Sequence, residues 1–325
     1  MGLILRHFRP ADAPAVLDLS RHVTPRLVDT AVAFRERVAR LSSGGQARFV
    51  VAELDGAVVG HAAAEPDRET PLPGQGVVNV VVAPHHRRRG VGSALLRTAE
   101  KHVVDSGGVV LRTVVQDTPE SVRFAEQRGY ARRSSTRFQE LDLAALPPVP
   151  PPPEGARLCS YRDFRSDPRS LHAVEEVAAR DEPFDIPYGS PSYPEWLAAI
   201  WRNPLLDLDL STAVVVDDRP VCVVTLLAEG PAVYSVMTGT SPGHRGRGLA
   251  RYAKSAALHR ARERGFRVAL TGNAEENAPM LAVNEWLGYR THAREFLYTK
   301  SVRPPGSRRW SGIRALRVLP AARGR

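Results

Sequence analysis

Two short stretches of the chain combine residue types that can hold an anion. Residues 84–92 read PHHRRRGVG and residues 242–250 read PGHRGRGLA. The spacing is Arg87-x-x-Gly90-x-Gly92 in the first and Arg245-x-x-Gly248-x-Ala250 in the second. Each follows a run that reads as a buried strand and opens a pattern of apolar residues at helical spacing. Small residues at a helix start leave backbone N–H groups uncovered and let a ligand approach closely. The helix dipole adds about half a positive charge at that end. The combination suits a pyrophosphate-like anion, with the arginines as charged walls. Reading of DNA fits less well. The surrounding block has no helix-turn-helix unit, no zinc ligands and no row of basic and aromatic residues on one strand face.

The elements that must position these knots repeat as well. A shift of 158 carries Pro84 to Pro242, Arg87 to Arg245, Arg89 to Arg247, Gly90 to Gly248, Gly107 to Gly265 and Thr113 to Thr271. A shift of 159 carries Gly129-Tyr130 to Gly288-Tyr289. Between the copies lies PPVPPPP at 147–153, a run that favours extended polyproline geometry and cannot sit inside a helix or central strand. The chain therefore divides into a domain at 1–145, a linker at 146–155, a domain at 156–300 and a basic tail at 301–325. In the first block, periodicity predicts helices near 12–20 and 30–41, and strands over ARFVVAEL and AVVGHAAAE joined at Asp55-Gly56. A buried strand GVVNVVVAP, the knot and its helix, a strand VVLRTVVQ and a helix over 119–128 follow. The second block predicts helices over 168–180 and 194–202 and strands over 211–217, 220–228 and 232–240. The knot helix, a strand RVALTGN and a helix over 277–287 complete it. Helices on both sides of a mostly antiparallel sheet make each block an α+β layered unit.

A chain of 325 residues with 43% hydrophobic and 25% charged residues is a soluble two-domain protein, with enough length per half to bury a core. Of its net charge of +10, eight positive charges come from Lys300 to the end, where there is no acid. The basic character thus belongs to the tail, whose possible partners are nucleic acid or an acidic surface. Cys159 and Cys222 form no cluster, the first residues lack a secretory apolar core, and no run approaches the length of a membrane span. The expectation is a cytoplasmic protein, monomer or homodimer, without a metal.

The unit strand-Pro-x-x-Arg-x-x-Gly-x-Gly/Ala-helix, closed by Arg128-Gly129-Tyr130 or Leu287-Gly288-Tyr289, resembles the GCN5-related N-acetyltransferases. The resemblance covers both halves, as in the tandem members common in actinobacteria. It implies two acyl-CoA N-acyltransferase domains, each a mixed, mostly antiparallel sheet flanked by helices, with acetyl-CoA as donor. It also implies that backbone at Val80 and Val82, and at Thr238 and Thr240, pairs with the pantetheine arm. The pyrophosphate would lie on Arg87, Arg88, Arg89, Gly90, Val91, Gly92 and Ser93 in the first half. In the second it would lie on Arg245, Gly246, Arg247, Gly248, Leu249, Ala250 and Arg251.

The chemistry is less visible. Amine acetylation needs alignment of amine and thioester, loss of an amine proton and a group serving the departing thiolate. The tyrosine that the family often places four residues before the closing glycine is Ala125 in one half and Asn284 in the other. Asn284 can still donate a hydrogen bond. Asn277, with Thr118 as its counterpart, and Asn273 add polar groups, although such residues commonly serve as helix caps and turns. General-base candidates are Glu229, Tyr234 and Asp185 in the second half and His61 and Glu65 in the first. Asp181, Glu182 and Asp185, in the loop ARDEPFDIPYGSPSYPEW, would attract a cationic small-molecule amine. These features favour the second half as the reacting copy, while the first has the fuller glycine pattern. A protein that senses acyl-CoA without catalysis, or an acetyltransferase anchored to nucleic acid by its tail, stand as alternatives.

Overall fold

The chain alternates apolar strands of period two with amphipathic helices, and it does so twice. The computed structural model describes residues 2–24, 28–67, 70, 72–183 and 190–302. In the first half the order is β1 (Ile4–His7), α1 (Ala13–Val23), α2 (Ala31–Ser42), β2 (Arg48–Leu54), β3 (Ala57–Pro66) and β4 (Gln75–Val82). It continues with α3 (Val91–Asp105), β5 (Val110–Gln116), α4 (Pro119–Glu126) and β6 (Ala131–Asp142). The second half repeats it with β7 (Arg157–Ser160), α5 (Arg169–Ala179), α6 (Tyr193–Trp196), β8 (Thr212–Val216), β9 (Arg219–Glu229) and β10 (Ala232–Thr240). Then come α7 (Leu249–Glu263), β11 (Val268–Ala274), α8 (Ala278–Leu287) and β12 (Arg290–Ser301). Helix α6 widens into a π-turn over Leu197–Trp201, which sets Trp196 and Trp201 five residues apart yet stacked at 5.8 Å.

All the strands join one 12-stranded sheet in the order β1-β2-β3-β4-β5-β12-β6-β11-β10-β9-β8-β7. The order contains an exchange. The last strand of the second half, β12, pairs with β5, and the last strand of the first half, β6, pairs with β11. The two exchanged strands then pair with each other from Arg290–Glu140 to Thr299–Ala131. Each half thus closes its sheet with the other's final strand. Arg294 sits opposite Arg137, a like-charge pair that would oppose the ladder. Glu275, just before α8, answers it, lying 3.0 Å from Arg294 and 3.7 Å from Arg137 and accepting a 2.6 Å hydrogen bond from Ser135. These bonds hold the Glu275 pKa below the ordinary carboxylate range, the Ser135 bond foremost.

Helices α3 and α7 cover one face of the sheet, each over its own apolar cluster. On the other face α1 and α2 pack over β2 and β3, and α5 and α6 over β8 and β9. Only β4–β5 and β10–β11 are parallel, and these are the pairs that precede and follow each knot helix. No helix among the described residues is long and apolar enough to cross a membrane.

The exchange predicts a single unfolding event. Trp196, Trp201, Trp286 and Trp310 all lie beyond the proline run, so tryptophan fluorescence reports the second half while far-ultraviolet circular dichroism reports both. Urea titrations followed by the two probes should coincide. Two separated midpoints would show that the halves do not depend on each other's strands.

Candidate active site

Each parallel pair begins together and then parts. β4 and β5 pair only from Gln75–Val110 to Val77–Arg112, and β10 and β11 only from Ala232–Val268 to Ser235–Thr271. Beyond those points β4 stays bonded to β3 and β10 to β9, so their other edges line an open cleft. Val80, Val82, Thr238 and Thr240 lie on these open segments. At the head of each cleft the chain makes a 3-10 turn, Pro84–His86 or Pro242–His244, then the knot, then a helix of 15 residues.

The knots hold open helix ends. Gly90 and Gly248 are the N-caps, with φ of 82° and 77°, and neither helix has a side-chain cap. A Cβ added to either glycine would meet nothing within 4 Å. The N–H groups of Val91, Gly92 and Ser93, and of Leu249, Ala250 and Arg251, belong to first turns, which have no partners within the helix. Gly92 also admits the Phe124 ring, which would lie 3.3 Å from a Cβ there. Arg128 stacks on that ring at 3.6 Å and donates to Ser93 at 2.7 Å. In the first half, therefore, Gly92 is engaged by α4 and the Ser93 hydroxyl by Arg128 just beyond it.

The arginines divide by role. Arg87 Nε donates to Val82 O at 3.2 Å, and Arg245 Nε to Thr240 O at 3.0 Å, so the first arginine of each knot braces the loop against its own strand. Their outer nitrogens pair with Glu120 at 3.0 Å and Asp181 at 2.7 Å. Arg247 donates to Glu154 O in the linker at 3.0 Å, and Arg251 lies over Trp286 at 4.9 Å. Arg89 is exposed. A second left-handed position precedes each cap. Gly246 fills it in the second half with φ of 74°, whereas Arg88 is forced to 62° in the first. Side chains with a Cβ lose about 1–2 kcal/mol in that region. The first half thus carries its extra glycine at 92, beside Phe124, and the second carries its own at the left-handed position 246.

The two halves differ again at the parting of the strands. Between Ser235 and Met237 the β9–β10 register slips by one residue, so that Val236 is a bulge. The β3–β4 ladder has no such slip. The extra residue turns Tyr234 and Met237 to the same face, that of α5. Tyr234 leans over Gly272, its hydroxyl 3.2 Å from where a Cβ would be. Burial, with the neighbouring Glu295 carboxyl, pushes its pKa up to about 12. Tyr234 is thus a hydrogen-bond donor at neutral pH and not a base. Glu229 is on the same face at the end of β9, half-buried and 3.8 Å from Arg21 of the first half. Beneath the bulge, the buried Glu175 of α5 accepts from Tyr161, Thr225 and the Trp196 indole. Burial raises its pKa against those bonds.

On the opposite face the predicted asparagines come apart. Asn277 is the N-cap of α8, accepting from Met280 N at 3.3 Å, as Thr118 caps α4 by accepting from Ser121 N. Asn284 is buried and fully engaged: Lys254 Nζ donates to Oδ1 at 2.8 Å, and Nδ2 donates to Gln139 Oε1 at 3.0 Å and to Asn273 Oδ1 at 2.8 Å. With both N–H groups committed, it has no donor left for a thiolate, which corrects the expectation from its position. Lys254 was hidden in the sequence among the small residues of its helix. The repeat gives the signal, because the shift of 158 places Lys254 on Leu96, a buried position. In the first half, burial lowers the His61 pKa to about 4, and its Nε2 lies 3.2 Å from Ser20 Oγ. Glu65 is on the neighbouring stretch of β3, half-buried. Of the acceptor-loop acids, Asp181 is paired with Arg245 and Glu182 has its pKa raised by burial. Asp185 and the basic tail beyond Val302 lie outside the described residues.

Burial lowers the Lys254 pKa to about 7, well under its value in an unfolded chain. The unfolded state then binds more protons between these values, so stability rises with pH across pH 7 to 10.5. Lys254→Leu should remove that slope. The difference in melting temperature between variant and wild type, followed from pH 7 to pH 10, should shift steadily in favour of the wild type. A constant difference would contradict the lowering of the Lys254 pKa by burial.

The comparisons agree with this geometry. The model of the acetyltransferase (GNAT) family matches residues 16–130 and 171–289. The mycothiol acetyltransferase of Geodermatophilus obscurus is 30% identical over 309 residues, covering 87% of this chain and 92% of that protein. That of Catenulispora acidiphila is 28% identical over 233 residues, covering 67% and 70%. Among solved structures, a tandem GNAT protein from the clavulanic acid biosynthesis pathway superposes with a TM-score of 0.71 at 22% identity, covering 93% of this chain and 99% of that one. A GCN5-related N-acetyltransferase from Sphaerobacter thermophilus gives 0.70 at 23% identity, covering 93% and 96%. The chain belongs to the acetyltransferase (GNAT) family, as a tandem member with two copies of the fold.

Proposed function

We propose that the protein transfers an acetyl group from acetyl-CoA to a primary amine of a small molecule, with both reactants bound together and the second half as the reacting copy. The observation that carries this reading is the cleft between β10 and β11, headed by an uncapped helix whose two left-handed positions are both glycine. The residues fit the donor. Open first-turn amides at Leu249, Ala250 and Arg251 suit the pyrophosphate, and the free edge of β10 at Thr238 and Thr240 suits an amide-bearing arm. Acetyl-CoA supplies an activated acetyl: the amine forms the C–N bond as the C–S bond breaks, the electron pair leaves on sulfur, and the amine proton passes to water. The chain's part is alignment. Tyr234 and Glu229 face the side covered by α5 and α6, which we assign to the incoming amine. Tyr234 donates a hydrogen bond there, and water takes the proton. The names of the relatives support a small-molecule acceptor.

For the first half a second reading has its own support. A bulge-free β4, Arg88 in a strained position and Phe124 seated on Gly92 suit a copy that binds acyl-CoA or braces the fold without turning it over.

Calorimetry with acetyl-CoA tests the loops. Gly248→Glu and Gly90→Glu each place a carboxylate at one open helix end, and each should abolish binding at its own site while circular dichroism stays unchanged. Unchanged stoichiometry in both variants would refute the assignment of the knots to the pyrophosphate.

A further inference from the structure

Four positions made equivalent by the duplication carry opposite chemistry in the two halves. In the second half Lys254, Asn284, Asn273 and Gln139 form the hydrogen-bonded set described above, drawn from α7, α8, β11 and the exchanged strand β6. In the first half Leu96, Ala125, Val115 and Tyr298 occupy the same places, and all four belong to one apolar cluster. The ladders fix the last equivalence, since Gln139 pairs with Thr271 and Tyr298 with Thr113. The Tyr298 hydroxyl leaves the cluster to donate to Glu126 at 3.2 Å. An apolar solution therefore packs in this fold, and packing alone does not require the polar one. Burying an ammonium with no carboxylate at ion-pair distance among the described residues works against stability.

What the polar set achieves is orientation. Lys254 Nζ donates to the Asn284 oxygen at 2.8 Å, so that oxygen faces the lysine and the Asn284 N–H groups face away. Those two N–H groups demand oxygens from Gln139 and Asn273. The Asn273 amide is then fixed with its oxygen inward and its own N–H groups outward. Asn273 is also the first side chain on the α7 face beyond the last β10–β11 pair, Ser235–Thr271, because Gly272 intervenes. It is half-buried, whereas the other three are buried. The outermost group of the chain is thus a donor, at the point where the two strands part.

We propose that Asn273 donates a hydrogen bond to the sulfur of CoA as the thiolate departs, and that Lys254, Asn284 and Gln139 are the positioning residues that hold its amide in that sense. Asn273 takes over at the strand what a hydroxyl on α8 would otherwise supply. Donors fixed in advance where charge develops are among the strongest contributions a protein makes to such a step. The proposal rests on the reading that the second cleft takes acetyl-CoA.

The test needs no acceptor. The full chain carrying Gly90→Glu, which leaves the second knot as the open one, is saturated with CoA, and thiolate absorption in the ultraviolet is followed against pH. The bound thiol should ionise about one pH unit or more below free CoA, a tenfold preference for the thiolate. Adding Lys254→Leu, Asn273→Val and Asn284→Ala, the side chains of the first half, should return the thiol to its solution behaviour and, by linkage, weaken binding of the CoA thiolate about tenfold relative to the thiol. Asn273→Val alone keeps the Lys254–Asn284 and Asn284–Gln139 bonds, loses only the bond from Asn284 to Asn273, and should abolish the shift by itself. A bound thiol that titrates like free CoA, or a shift that survives Asn273→Val, would overturn the proposal while leaving the cleft assignment standing. Absence of CoA binding to the Gly90→Glu protein would overturn both.

Discussion

The pairing of β6 with β12 is the constraint on which the rest of the structure depends. Each strand belongs by sequence to one half and by hydrogen bonding to the other, and their mutual ladder makes one sheet of two copies. A parallel pair can part only if its outer strands are held elsewhere. β5 is held by β12 and β11 by β6, so both clefts lean on the same central ladder. Glu275 makes that ladder tolerable by standing between two facing arginines. The exchange also delivers Gln139, a residue of the first half, into the polar set of the second.

Duplication has been followed by division. The two copies share the open helix end, the brace from arginine to strand carbonyl and the closing Gly-Tyr. They differ wherever the acyl group would react: a bulge or none, glycine or arginine at a left-handed position, a polar or an apolar set behind the cleft. The second copy has the bulge and the buried polar set, and the first has an apolar set in the same place and bears the strained left-handed residue, Arg88.

Much of this was legible in the sequence, and what escaped has physical causes. The knots, their helices and the proline run stood out because helix starts and turns demand particular residue types. The helices came within a few residues of their positions for the same reason. Strands β1, β6, β7 and β12 did not stand out. β6 reads ARRSSTRFQELD and β12 RTHAREFLYTKS, polar segments that become strands because the ladders on both sides satisfy their backbone. Propensity yields to tertiary pairing in such cases. The site was misread where position stood in for bonding. Asn284 sits where a donor was expected, but its donors face inward, and only the buried Lys254 explains why. The arginines of the knots attracted attention for their charge, yet two of them are braces.

The second cleft, read as an acyl-CoA site, is completed by a strand from the first half. Hydrogen exchange of the full chain with and without CoA distinguishes this arrangement from two independent halves. CoA should slow exchange at amides of residues 246–251 and, together with them, in the segment around Gln139 of β6. Protection absent from 246–251, or confined there while β6 stays unchanged, would contradict it.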